Sequence, residues 1–415
     1  MNIAIWGMGI SGVSTLKYLT KLNQDKIFLI NQGEPSEWSK IDEIQNYISA
    51  EYCYSEQQAT VDLKHKIDLI VLAPGIDPQN SFLQEFSEVK KICEVELAYS
   101  QINIPIIALT GTNGKTTTVT MISEALKSAG NSVFLAGNIG VPLCEIFLDE
   151  IEYDYIVLEL SSFQLELMDT FRADIAVVLN ITKSHMERYK SFDDYKNAKL
   201  NIVKHQTAGD LYIAPLEFLS IETKAKKIEL TKNLEYDFSK SHLVGDHYFY
   251  NIDVVHNILE FYKVQNFKDV VQSLINNFKS IQFRLEYLRS YRSVKIFNDG
   301  KSTNTASTLS AVHSFKGKRI GLILGGKLRD QSQDFSELSE LKQIQVYAFG
   351  EAMNFIDEKF HNVKKGKTLD VLMELVAWDE IDILLFSPAF PSFDLYQNYI
   401  HRAKHFDEII NRLDG

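Results

Sequence analysis

At 415 residues, 45% of them apolar and 24% charged, the chain exceeds one ordinary core and has the make-up of a globular protein of two or three domains. A formal net charge of −12 excludes a broad nucleic-acid or anionic-membrane surface, so phosphates would have to be met in locally basic pockets. Cys53, Cys93 and Cys144 are scattered without CxxC spacing, which argues against a disulfide framework or zinc cluster. Met1 leads straight into a strand and no apolar run is long enough to span a bilayer, so a cytoplasmic protein without membrane insertion is expected.

The apolar stretch 2–6 predicts a strand. Gly7, Gly9 and Gly12 of GMGISG follow, then a helical pattern over 13–22, with strands at 26–30 and 68–73. This alternation predicts a Rossmann-like unit. Its glycine turn suits a dinucleotide, but the second strand ends at Asn31, where a nicotinamide site wants Asp or Glu for the ribose. A nucleotide-sugar diphosphate is the better candidate, with a ligand-free tight turn as the alternative.

The second unit starts with a buried strand at 104–109. Gly111, Thr112, Asn113, Gly114, Lys115, Thr116 and Thr117 then open a helix with apolar Val119, Ile122, Ala125 and Leu126, closed by Gly130. Strand, glycine turn, Lys-Thr and helix make a phosphate cradle of the shorter GxxGK[ST] form. Free N–H groups and the helix dipole face the anion, Lys115 adds a charge, and the Thr116 hydroxyl can ligate magnesium. ATP is the expected ligand. Strands at 133–135, 155–160, 173–180 and 211–214 and helices at 191–204 and 248–264 complete this unit. A third unit has strands at 294–298, 319–324, 345–349 and 382–386 and a terminal helix from about 394 to 412. The predicted architecture is therefore α/β with three domains: a Rossmann-like 1–95, a P-loop ATPase-type 96–279, and a second Rossmann-like 280–415.

Glu159 ends an apolar strand beside the cradle, where a magnesium-coordinating acid is expected. His185 follows the strand 173–180 at the sheet end where open α/β sheets place ligands, which suits a metal or substrate role as well as a structural one. Lys199, on the next helix, is by default a solvated lysine. Asp299 can accept from ribose hydroxyls, while Lys301 and Thr303 can meet phosphate or carboxylate oxygens. Gly325-Gly326 with Lys327 and Arg329, and Ser387-Pro388-Ala389, also follow strands, suggesting one anion-lined face. His401 and His405, flanked by Arg402 and Lys404 and lacking the Glu of HExxH, are expected at the surface and not on zinc.

Taken together, GTNGKTTT, GNIG, LELSSFQLE, NITKSHMERY, AKL, FRLE, NDGKSTN, LGG and SPAFPSFD resemble, in order and over essentially the whole chain, the Mur ligases. The resemblance is strongest to members that add D-glutamate. It implies three α/β domains for the UDP moiety, for ATP, and for the amino acid together with ATP. The implied substrates are UDP-N-acetylmuramoyl-L-alanine, D-glutamate and ATP, handled by a monomer through an acyl phosphate. It also implies two magnesium sites, Thr116 and Glu159 with the first, and His185 and a carbamylated Lys199 with the second. Asn251 would face adenine, Arg284 the phosphates and Asp299 the ribose. Thr303, Ser392, Phe393 and Tyr399 would receive D-glutamate, aided by Arg329. Ile10, Ser11, Asn31 and Gln32 would line the uracil and diphosphate side, and Asn138 the muramoyl end. Four places depart from the family pattern: Ser184 stands for an Asp, Tyr248 for an Asn, Lys327-Leu328-Arg329 for Asp-Gly-Lys, and Asn31 for an acid. A sister amide ligase using another amino acid and a non-catalytic nucleotide-binding scaffold are the alternatives.

Overall fold

Three runs of short β-branched strands separated by helices form three sheets in the computed structural model, which describes residues 1–24, 26–77, 79–186, 188–232, 235–241, 243–245, 247–328 and 333–413. The first sheet contains β1 (Ile3–Trp6), β2 (Ile27–Asn31), β3 (Cys53–Ser55), β4 (Leu69–Leu72) and β5 (Lys90–Ile92), in the order β3-β2-β1-β4-β5, all parallel. Helix α1 (Ile10–Lys21) starts three residues before the predicted position, so Gly12 lies inside it. The helix enters so close to the strand-end turn that a Cβ on Gly12 would sit 2.0 Å from the Gly7 carbonyl oxygen. Only glycine fits there.

The second sheet contains β6 (Ile106–Thr110), β7 (Val133–Gly137), β8 (Tyr155–Glu159), β9 (Ile175–Val178), β10 (Leu211–Ala214) and β11 (Lys226–Glu229), in the order β11-β10-β9-β6-β8-β7, again all parallel. Its middle strands β6, β8 and β9 are almost wholly buried, as near-continuous apolar runs require when both faces are covered. Helices α2 (Lys115–Ser128) and α3 (Phe192–Leu200) belong to this sheet, and α3 tightens into a 3₁₀ turn at Asn201–Val203. Helix α4 (His247–Phe261) matches the expected 248–264, whereas the amphipathic α5 (Phe267–Asn277) was not foreseen.

The third sheet contains β12 (Glu286–Tyr291), β13 (Val294–Asn298), β14 (Ile320–Gly325), β15 (Ile344–Phe349), β16 (Lys364–Lys365) and β17 (Ile383–Ala389), in the order β12-β13-β17-β14-β15-β16. All its pairs are parallel except the edge hairpin β12–β13. Helix α6 (Thr305–His313) packs on β17. The last helix, α7 (Tyr399–Asn411), starts five residues after the predicted 394, because Asn398 caps it by accepting from the His401 N–H at 2.9 Å and residues 391–397 form a loop.

The chain forms two compact units. One comprises Met1–Glu235 with Phe249–Leu274 and carries the first two sheets; the other comprises Tyr236–Tyr248 with Ile275–Gly415 and carries the third. Among the described residues no helix is long and apolar enough to cross a membrane.

Candidate active site

In the first unit, β6 delivers the chain to a loop that must reverse within four residues and present its N–H groups. Gly114 makes this possible as the N-cap of α2, with φ of 81°, a left-handed conformation that costs other residues energy. The end of β9 holds the loop in place. Asn180 accepts the Thr112 N–H at its carbonyl (2.8 Å) and the Asn113 N–H at its side chain (2.9 Å), and its amide donates to the Asn113 carbonyl at 3.1 Å. Thr112 Oγ1 accepts the Thr182 N–H at 3.0 Å and lies 3.2 Å from Tyr195 Oη. Lys115 Nζ folds back to donate to the carbonyls of Gly111 (2.9 Å) and Thr112 (3.1 Å). Thr117 is buried one residue after Thr116.

Glu159, at the end of β8, is 1% exposed and accepts from Thr116 Oγ1 and from Asn138 Nδ2, each at 2.8 Å. Both carboxylate oxygens are thereby aimed at the cradle. Asn138, expected beside the substrate sugar, directs its side-chain amide to this carboxylate. Lys199 is not a solvated lysine: it is 2% exposed, donates to the Gly111 carbonyl at 3.0 Å, and its Nζ lies 4.9 Å from the Tyr195 ring centroid. Burial first, and then the nearby Lys115 charge, lower its pKa to about 7, against a smaller opposing pull from Glu159. The same burial favours the neutral, nucleophilic amine over the ammonium. His185 is exposed with a left-handed φ of 57°. Its ring meets Phe163 edge-on at 5.1 Å and lies 6.1 Å from Tyr195. Asn251 is buried, accepts from Thr118 Oγ1 on α2 at 3.1 Å, and leaves its Nδ2 without a partner.

On the first sheet, Ile10 is exposed at the start of α1, with Ser11 next to it. Asn31, ending β2, accepts the Met8 N–H at 3.3 Å and so ties the strand end to the glycine turn, while Gln32 is exposed beside it.

In the second unit, Asp299 follows β13, is 5% exposed, and accepts from Ser387 Oγ (2.7 Å) and the Leu285 N–H (3.1 Å). Burial raises its pKa to about 6, against opposing hydrogen bonds and the Arg284 charge. Arg284 is flanked by Phe283 and Leu285, both at positive φ (64° and 44°), and its Nε is buried without a partner. Strain of this kind, costing on the order of 1–3 kcal/mol per residue, persists where the surroundings over-determine a loop and clusters at functional sites. Tyr248 is buried close enough to Asp299 and Arg284 to feel both charges. Lys301 Nζ lies 5.7 Å from the Tyr399 ring centroid, Thr303 is half-buried, Ser392 is 2% exposed and Phe393 is exposed. Arg329 lies outside the described residues.

Three contributors were not foreseen. Asn180 and Tyr195 shape the cradle; an asparagine directly after a strand that neighbours the cradle strand was the available signal. Arg402, expected to flank surface histidines, is fully buried, and its guanidinium donates to the carbonyls of Gly325 (3.1 Å), Phe390 (2.8 Å) and Gly300 (3.3 Å). One side chain thus holds together the three strand-end loops suspected of lining an anion face. Nothing in the HRAKH segment announced this.

Among the described residues, no group of three or more His, Cys, Asp or Glu side chains is disposed to hold a metal ion. The hydroxyl of Thr116 and the carboxylate of Glu159 are nevertheless hard oxygen donors held together beside the cradle. That set suits magnesium when ligand phosphates complete its shell.

Parallel sheets, a glycine-framed loop opening a helix, and a buried carboxylate at the adjoining strand end define a nucleoside-phosphate-binding α/β protein. The Mur ligase middle domain matches residues 109–287. A UDP-N-acetylmuramoylalanine–D-glutamate ligase of Natranaerobius thermophilus is 32% identical, covering 87% of this chain and 88% of its own. One of Citrifermentans bemidjiense is 34% identical over 82% of each chain. Among solved structures, Thermotoga maritima MurF ligase in complex with ADP superposes with a TM-score of 0.59 at 15% identity, over 99% of this chain and 95% of that one. Thermotoga maritima UDP-N-acetylmuramate-alanine ligase MurC gives 0.56 at 16% identity over 99% of both. The chain belongs to the Mur ligase family.

Proposed function

We propose that the protein is an ATP-dependent, amide-forming ligase that adds D-glutamate to UDP-N-acetylmuramoyl-L-alanine in peptidoglycan-precursor synthesis. The observation that carries this is the convergence of Lys115, Thr116, Asn138, Glu159 and Lys199 on one loop, in a chain whose relatives bear the name of that reaction. Residues 1–95 take the UDP moiety, with Ile10, Ser11, Asn31 and Gln32 beside the uracil and diphosphate. Residues 96–279 take ATP, and 280–415 take the amino acid together with ATP.

The chemistry is mainly charge control. The alanyl carboxylate attacks the γ-phosphorus of ATP, ADP departs, and the resulting acyl phosphate is attacked by the D-glutamate amine with loss of phosphate. Two anions must approach, so residues 111–117 turn their N–H groups to the phosphates and Lys115 exchanges its loop carbonyls for phosphate oxygens. Thr116 and Glu159 would hold magnesium, which would supply further neutralisation of phosphate charge. His185 and Lys199 would serve a second cation. As an ammonium, Lys199 repels a cation; as the amine that its lowered pKa favours, its nitrogen can bond the carbon of carbon dioxide and release a proton to solvent, leaving an anionic carbamate. Asn251 and Arg284 belong with adenine and the phosphates, Asp299 with the ribose, Lys301 with phosphate oxygens, and Asn138 with the muramoyl end. Thr303, Ser392, Phe393, Tyr399 and Arg329 receive D-glutamate.

Incubation with ATP, magnesium, UDP-N-acetylmuramoyl-L-alanine and single amino acids tests the assignment. Phosphate release that depends on D-glutamate is expected. Release with another amino acid moves the protein to a sister ligase, and no release with any of them leaves only a nucleotide-binding scaffold.

A further inference from the structure

The HRAKH segment has one histidine that is not a plain surface residue. His401 is exposed, but His405 Nδ1 lies 2.8 Å from Tyr396 Oη and its Nε2 lies 3.2 Å from Asp370 Oδ2. Arg412 Nη2 reaches the other oxygen of Asp370 at 3.0 Å. An unbroken chain of polar contacts therefore runs from the short helix Leu369–Met373, through α7, to the loop 391–397. Within that loop the Tyr396 N–H donates to the Ser392 carbonyl at 3.0 Å, closing a turn that carries Ser392 and Phe393. The start and the middle of the loop have anchors of their own, because the Phe390 carbonyl is held by Arg402, the Pro391 carbonyl accepts the Lys327 N–H at 2.7 Å, and Asp394 accepts the Glu351 N–H at 3.0 Å. The end of the turn, where its closing hydrogen bond is made, has its side-chain tether in the phenol of Tyr396. Burial first, then the Asp370 charge, raises the pKa of that phenol, so it stays a hydrogen-bond donor.

We infer that Asp370, His405 and Tyr396 are positioning residues that hold the 391–397 turn in register for the incoming acidic amino acid. This rests on the assignment of Ser392 and Phe393 to D-glutamate. A phenol anchored at its far end keeps the turn from rotating about its own backbone, so Ser392 presents a fixed donor. With the tether cut, the turn keeps its space and loses its orientation, and the cost falls on amino-acid binding.

The test is steady-state phosphate release by the full chain with UDP-N-acetylmuramoyl-L-alanine, comparing Tyr396→Phe, His405→Leu and the double variant. Each single change should raise the KM for D-glutamate about fivefold, with the KM for ATP within twofold of wild type, as expected for loss of one net hydrogen bond. The double variant should be no worse than the poorer single one, the non-additivity of residues acting as a unit. An unchanged KM for D-glutamate in Tyr396→Phe, an equal rise in the KM for ATP, or multiplying effects overturns the inference. Should Tyr396→Phe fail to fold, the exposed Asp370→Asn replaces it: a KM for D-glutamate raised about twofold supports the tether, and no change overturns it. Wild-type enzyme that releases phosphate with a different amino acid removes the D-glutamate assignment, and the same variants are then read against that amino acid.

Discussion

The phosphate cradle of the middle sheet and the strand-end loops of the third sheet both present polar groups at the ends of parallel strands, yet they are held by opposite means. In the cradle, backbone shape comes from a glycine and from neutral partners, chiefly Asn180, and the buried base, Lys199, has its pKa lowered by that burial. In the third sheet, shape comes from a buried cation, Arg402, spread over three carbonyls, and the buried titratable group, Asp299, is an acid. The cradle carries its charge on the loop itself, in Lys115, whose Nζ rests on two loop carbonyls. Loops that must orient a smaller ligand place their charge underneath, as scaffolding.

The largest effect expected from breaking the cradle is Lys115→Ala. Turnover should fall about 10³-fold, in line with loss of a preorganised charge at the reacting phosphoryl group. Calorimetric affinity for UDP-N-acetylmuramoyl-L-alanine should stay near wild type if, as proposed, that ligand binds 1–95; a large loss of affinity would contradict the domain assignment. Asn180→Ala removes two side-chain hydrogen bonds from the loop and should raise the KM for ATP about thirtyfold, at roughly 1 kcal/mol per bond. An unchanged KM would mean that the loop holds its shape without β9.

The two buried titratable groups sharpen the contrast, because their pH dependences have opposite sign. Lys199 has a folded pKa lowered to about 7 from the ordinary lysine value of 10.5, so the unfolded chain binds more protons between those values and stability rises with pH through that window. Asp299 has a folded pKa raised to about 6 from 3.8, so the folded chain binds more protons between those values and stability falls as pH climbs through that window. Denaturant titrations across pH should lose the alkaline rise in Lys199→Met and the acid-side fall in Asp299→Asn. Intact-mass measurement of wild type at pH 8 under bicarbonate should also show one added carbon dioxide that is absent from Lys199→Met. The smallest effect lies at the edge hairpin, where Arg292 and Ser293 occupy positive φ (46° and 68°) as a primed two-residue turn demands. Replacing the pair with Asn-Gly should raise stability by about 1 kcal/mol in denaturant melts.

Much of this was legible from residue order alone, because glycine, strand apolarity and helix openings act locally. The cradle, β1, β4, β8, β13 and β17 follow from such signals. The edge strands β3, β5 and β16 are two or three residues long, too short to show a period. Strand β12 was missed because its turn is Arg-Ser, without the Asn-Gly or Asp-Gly that announces a primed hairpin. The burial of Lys199 and of Arg402 was not legible for a different reason: a basic residue on a helix is normally solvated, and only the fold closes over these two. Their burial depends on partners 88 and more than 70 positions away in the chain.

Neither compact unit is one continuous segment, since the chain passes to the second at Tyr236, returns at Phe249 and leaves again at Ile275. A truncated protein ending at Glu235 would lack α4 and α5, whose Ile252, Val255, Ile258, Leu259 and Val271 are fully buried. The first unit would then lose these buried side chains and expose the apolar groups they cover, with a tendency to precipitate. Separate production of the ATP-binding portion therefore calls for a spliced gene that bridges 235 to 249.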